Sequence, residues 1–128
     1  MQLTEHHNER QFFLRRADAV SAVVVDRTVT TSFVVSADAI VEDFPYTKSD
    51  QLDDAAVDKI AGLKPEVVLL GTGDRIVFPP QKILAAFLRR GIGVETMDSA
   101  AAARTFNVLV SESRNVVAVF LLAGNSRA

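Results

Sequence analysis

The chain has 128 residues, 48% of them apolar and 23% charged, a composition near that of an average globular protein and long enough to bury a core without disulfides or metals. Fourteen basic against 16 acidic residues leave a net charge of −2, which gives no general electrostatic reason to bind nucleic acid or an anionic membrane. With no cysteine, disulfides, thiolate nucleophiles, cysteine–zinc sites and cysteine-held iron–sulfur clusters are excluded.

The start, Met1-Gln2-Leu3-Thr4-Glu5-His6-His7, is polar and lacks a signal-peptide apolar core. No apolar run approaches the roughly 20 residues that a membrane helix needs, so no membrane insertion is expected. The simplest reading is a cytoplasmic single domain over residues 1–128, with its ordered core at about 11–123 between polar tails.

In chain order, Gln11 to Arg15 and Val20 to Val25 are short strand-like runs. Asp26-Arg27 offers a tight connection, though without the glycine of the strongest hairpin signal. Thr28 to Val35 partly alternates and is rich in β-branched residues, which suit a pleated surface. Ser36 to Thr47, with Pro45, reads as loop.

After Thr47 the period changes. Leu52, Ala56, Val57, Ile60 and Ala61 recur at helical spacing, which predicts a helix near 50–61, stopped by Gly62 and Pro65. Val67 to Leu70 is a continuous apolar strand, as expected when both faces are covered. Pro79-Pro80 introduces a helix over 81–90, with Ile83, Leu84, Phe87 and Leu88 as one face and Gly91 closing it. Val94 to Met97 is a second such strand. Asp98 and Ser99 suit the start of a third helix near 99–113, along which Ala100, Ala103, Phe106 and Val110 run. Asn115 is suited to the left-handed turn that follows, and Val116 to Leu122 is the last strand. Three strands followed by α-β-α-β-α-β imply an α/β fold with a mixed sheet: antiparallel strands first, then parallel strands joined by right-handed crossovers. The expected core includes Val68, Leu70, Leu84, Phe87, Leu88, Val94, Phe106 and Val119.

Ligands in such sheets tend to sit beyond the carboxyl ends of parallel strands. Two of these ends are polar here: Gly71-Thr72-Gly73-Asp74-Arg75 and Met97-Asp98-Ser99. Glycines let a ligand approach the backbone and a helix start offers amide donors, so an anion or small polar molecule has a plausible place there. The plainer account is a tight turn and a helix cap. Position 76 is isoleucine, so Gly71-Thr72-Gly73 is no dinucleotide fingerprint, and no Gly-Lys-Ser/Thr phosphate loop exists.

On the third helix, Arg104, Thr105 and Asn107, with Glu112 and Arg114 at its end, form either a recognition surface or a solvated face closed by a Glu112–Arg114 pair. His6 and His7 are adjacent and have no third ligand nearby, so no metal site is expected. No Gly-x-Ser-x-Gly elbow is present. Asp50, Asp53, Asp54 and Asp58 belong to the start and outer face of the first helix, where they favour its dipole.

The segments Pro65 to Gly73, Gly91 to Ser99 and Ala102 to Leu109, with Glu112-Ser113-Arg114 before an apolar strand, resemble a small uncharacterised family. It is widespread in bacteria and archaea, and its mitochondrial member is the third assembly factor of respiratory complex I. The resemblance is strongest from Gly71 to Leu121. It implies a three-layer sandwich around a mixed sheet, no established enzymatic activity and no cofactor. The matching signature positions are Gly71, Thr72, Gly73, Met97, Asp98, Ser99, Ala103, Thr105, Asn107, Leu109, Glu112 and Arg114. Ser99 stands where threonine is usual and keeps a hydroxyl. Phe106 stands where tyrosine is usual and loses one.

The function expected is therefore a non-catalytic protein-interaction domain whose partner, by family analogy, is a subunit of a respiratory or other membrane complex. The alternative is a small-molecule or anion binder, or an enzyme, using the Gly71–Asp74 and Met97–Ser99 turns. It lacks a recognisable nucleophile, tuned base or metal set.

Overall fold

The computed structural model describes residues 11–123, and within them the chain forms two sheets and three helices. The polar tails, with His6 and His7, lie outside the described residues. Strands β1 (Leu14–Ala17), β2 (Ala22–Val24) and β3 (Arg27–Val29) make an antiparallel sheet in that order. The second sheet holds β4 (Phe33–Val35), β5 (Ile40–Val41), β6 (Val67–Gly71), β7 (Gly93–Met97) and β8 (Val116–Phe120) in the order β5-β4-β8-β6-β7. Helices α1 (Asp54–Ala61), α2 (Gln81–Arg89) and α3 (Ser99–Ser111) lie where helical spacing places them, except that α1 starts at Asp54, capped by Asp53, and Asp50 belongs to a separate 3-10 turn at Ser49–Gln51.

β6 pairs in parallel with both β7 and β8, while β4 is antiparallel to β8 and β5, so the larger sheet is mixed. The connection from β6 through α2 to β7 runs one way along the sheet. The connection from β7 through α3 to β8 returns past β6. Two right-handed crossovers in opposite directions put their helices on opposite faces. On one face, Val68, Leu70, Val117 and Val119 pack with Val57 and Ile60 of α1 and Ile83 and Phe87 of α2. On the other, Phe33, Leu69, Ala118 and Phe120 pack with Ala102, Ala103 and Phe106 of α3 and with Leu14, Ala22, Val24 and Val29 of the small sheet. Three layers result, and β8 is buried along its whole length between the outer two.

The structure departs from the sequence reading at several points. The run Thr28 to Val35 is not one strand: β3 belongs to the small sheet and β4 to the large one. Between them the buried Ser32 hydroxyl accepts the Leu122 amide at 2.9 Å and ties the crossing to the end of β8. Alternation has the same period in either sheet, so it does not reveal a change of sheet. Ile40-Val41, read as loop, pairs with β4. The β2–β3 turn is made by Val25 at φ 57°, and Ser113 at φ 62°, not Asn115, takes the left-handed conformation after α3. Leu88 is 72% exposed rather than core. Leu84 and Val94 are half-buried, whereas Val68, Leu70, Phe87, Phe106 and Val119 are buried.

Candidate functional site

Gly71, Met97 and Phe120 stand level across the sheet, since Gly71 is in register with both neighbours. This line is the carboxyl edge of the three parallel strands. The helices following β6 and β7 leave to opposite faces, so this is the switch of direction at which a crevice is expected. The turns Gly71–Asp74 and Met97–Ser99 do meet here.

Their polar groups bind each other. The Thr72 amide donates to Met97 O at 3.0 Å and the Ser99 amide to Gly73 O at 2.8 Å. The Gly73 amide donates to Ser99 Oγ at 2.8 Å, and Ser99 is fully buried. Gly73 sits at φ 91°, which a side chain disfavours. Thr72 Oγ1 donates to Arg75 O at 2.5 Å and accepts the Val77 amide at 3.1 Å. Asp98 caps α3 by accepting the Ala101 amide at 2.8 Å. Asp74 is exposed and Met97 is half-buried against the core. A Cβ on Gly71 would lie 3.1 Å from Ala102 Cβ and 3.3 Å from Phe120 Cδ1. Its bareness therefore lets α3 approach the sheet rather than a ligand approach the backbone.

The remaining candidates scatter along α3, which at 13 residues is about 20 Å long. Arg104 is exposed and Thr105 half-buried. Asn107 turns to the small sheet, where Oδ1 accepts the Leu14 amide at 2.9 Å and Nδ2 donates to Leu14 O at 2.8 Å. Glu112 and Arg114 belong to the opposite edge of the sheet. Arg114 Nε lies 3.4 Å from Glu66 Oε2, so its partner is the residue before β6 rather than Glu112. Glu66 also accepts the Asn115 amide at 2.9 Å, and that bond, with Arg114, holds its carboxyl below the usual range.

A cavity of about 280 Å³ adjoins Thr72 on the α1–α2 side, lined by Thr47, Lys48, Ser49, Asp50, Val77 and Leu121. The sequence reading missed it because its wall comes from the loop before α1, far from β6 along the chain. The one local signal was Ser49, a polar residue beside an apolar helix; it is buried and donates to Val77 O at 2.7 Å. Among the described residues no group of three or more histidine or acidic side chains is placed to hold a metal, and no helix is long and apolar enough to cross a membrane.

A family profile described as protein of unknown function (DUF498/DUF598) matches residues 16–121. The solution structure of XCC1710 from Xanthomonas campestris is 42% identical, with the match covering 100% of this chain and 97% of that one at a TM-score of 0.88. The 13 kDa major membrane protein of Francisella tularensis is 35% identical over 78 residues, 56% of this chain and 63% of that protein. NADH dehydrogenase (ubiquinone) 1 alpha subcomplex assembly factor 3 of Xenopus tropicalis is 41% identical over 56 residues, 44% of this chain and 31% of that protein. The match thus spans less than two thirds of either curated relative's length.

Proposed function

The chain belongs to the DUF498/DUF598 family of proteins of unknown function, and from that membership we propose that it is a non-catalytic protein-interaction domain assisting assembly of a respiratory or other membrane protein complex. The observation that carries this reading is the state of the polar groups at the carboxyl edge. Thr72, Gly73, Asp98 and Ser99 each bind the chain itself, which suits a scaffold more than a reaction centre needing a nucleophile beside a positioned base. The relatives named as complex I assembly factors support the partner class.

The interaction surface is the outer face of α3. Arg104, Val108 and Glu112 recur every fourth residue and so share one face. All three are exposed, Val108 to 52%. A large apolar residue between charges of opposite sign can anchor a partner in one orientation, the apolar contact giving affinity and the charges register.

The test is affinity capture from lysate of the source organism, with mass-spectrometric identification, by the wild type and by Arg104→Glu and Val108→Lys. Both variants should melt like the wild type and lose the same membrane-complex subunit. If both stay folded and still recover every partner, this face is not the interface.

A further inference from the structure

The loop from β6 to α2 presents three consecutive large apolar side chains to solvent: Ile76 at 53%, Val77 at 49% and Phe78 at 68% exposure. Scattered exposed apolar residues are ordinary, but a contiguous run marks a contact surface. The backbone beneath is held by the fold. Thr72 Oγ1 bonds both Arg75 O and the Val77 amide, the buried Ser49 hydroxyl donates to Val77 O, and Pro79 is buried. Arg75 O and both polar groups of Val77 thus have partners inside the protein, which fixes the loop with its side chains outward. The backbone groups of Ile76 and Phe78 have none among the described residues, so the backbone itself belongs at the hydrated headgroup level and only the side chains go deeper.

Along the loop and α2 the charge runs against that of the chain, while Lys48 and Asp50, which line the cavity beside Val77, offset each other. Residues 74–90 hold four basic side chains, Arg75, Lys82, Arg89 and Arg90, and one carboxylate, Asp74, in a chain with 14 basic and 16 acidic residues. Arg90 pairs with Asp58 on α1. Among the described residues Arg75, Lys82 and Arg89 form no ion pair, and all three are exposed. Arg75 directly precedes the apolar run and Lys82 follows Phe78 by four positions.

We infer that this loop docks on an anionic lipid surface, with Ile76, Val77 and Phe78 entering the boundary between headgroups and acyl chains while Arg75 and Lys82 lie against the phosphates. An anionic bilayer supplies an apolar medium and negative charge at one place, which this run and its flanks require together. The net charge of the whole chain conceals this local excess. The docking loop leads into α2, on the face of the sheet opposite α3, so a bound bilayer leaves the Arg104–Val108–Glu112 surface clear. The inference goes beyond the assembly reading and does not depend on it.

The chain has no tryptophan, so Phe78→Trp provides a single emission reporter. The purified full chain is sedimented with vesicles of phosphatidylcholine alone and with vesicles of equal parts phosphatidylcholine and phosphatidylglycerol. It should bind the anionic vesicles only, less as salt rises, and the tryptophan emission should shift to the blue with them. Arg75→Gln and Lys82→Gln should each weaken partitioning about fivefold. Phe78→Ser and Ile76→Ser should each weaken it about tenfold, with melting unchanged, because these side chains face water in the unbound protein. Absence of sedimentation with anionic vesicles overturns the inference, as does wild-type binding by Phe78→Ser. If vesicles fail to bind and Phe78→Ser instead abolishes capture of a protein, the loop is a protein interface. The vesicle assay contains no protein partner, so its failure leaves the α3 reading standing.

Discussion

Asn107 shows how one side chain decides the placement of a sheet. Its amide meets both polar backbone groups of Leu14, a residue only 3% exposed. Asn107→Ala leaves a buried N–H and C=O without partners and should lower stability by about 1–3 kcal/mol in urea denaturation. Asn107→Asp should do no better, since a carboxylate then faces the Leu14 carbonyl. A loss under about 0.5 kcal/mol would show that water replaces both bonds. Gly71→Ala, which forces its methyl against Ala102 and Phe120, should destabilise by about 1–3 kcal/mol, the usual range for overpacking. The sequence marked both residues as noteworthy, but as parts of a recognition surface and of a ligand approach. A residue type shows what bonds are available, whereas the partner 93 positions away is supplied by the fold.

At the scale of elements, α2 separates period from phase. Helical spacing placed Ile83, Leu84, Phe87 and Leu88 on one face, and that stripe exists. The buried residues, however, are Ile83, Ala86 and Phe87. The stripe is turned so that Phe87 faces the sheet and Leu88 faces water, because α2 also packs beside α1 and β7. Phe87→Ala should destabilise by about 3–5 kcal/mol, the loss of a buried ring including its cavity. Leu88→Ala should fall within about 0.5 kcal/mol of the wild type, as surface substitutions do. Equal effects of the two in a denaturant melt would contradict this phase. On α3 the cap was legible: Asp98 precedes the first helical turn in sequence and accepts from Ala101 in space, and Asp98→Ala should cost about 1 kcal/mol.

At the scale of the molecule, some acidic side chains hold connections in place. Among the described residues four carboxyls lie below their ordinary values. Asp18 is lowered by the Val20 and Ser21 amides, then by Arg16. Glu42 is lowered by its bond to Arg27, Asp53 by the Tyr46 hydroxyl and the Ala56 amide, and Glu66 by the Asn115 amide and Arg114. A carboxyl with a depressed folded value stabilises the fold above its unfolded value, and that contribution is lost as pH falls through the folded value. Melting temperature should therefore hold from about pH 7 to about pH 5 and fall below about pH 4. Glu66→Gln should flatten part of that fall, since its amide no longer titrates. All four are well exposed or at loop ends, so acid should loosen the connections before the core.

The sequence by itself determined the three helices, the parallel strands, the mixed sheet and the family, because these depend on periodicity, stop residues and local motifs contained in a few consecutive residues. It also marked the two turns that meet at the carboxyl edge of the sheet. Only the tertiary structure decided that Thr28 to Val35 divides between two sheets, that Arg114 pairs with Glu66 and that Asn107 holds β1. It alone placed the loop before α1 against the loop that follows β6 to form a cavity. Each of these rests on contacts between residues distant in the chain, which period and composition do not encode. The exposed Ile76-Val77-Phe78 run belongs with them: its composition is that of a buried strand, and its exposure follows from the hydroxyls of Thr72 and Ser49 holding the backbone so that the side chains face out.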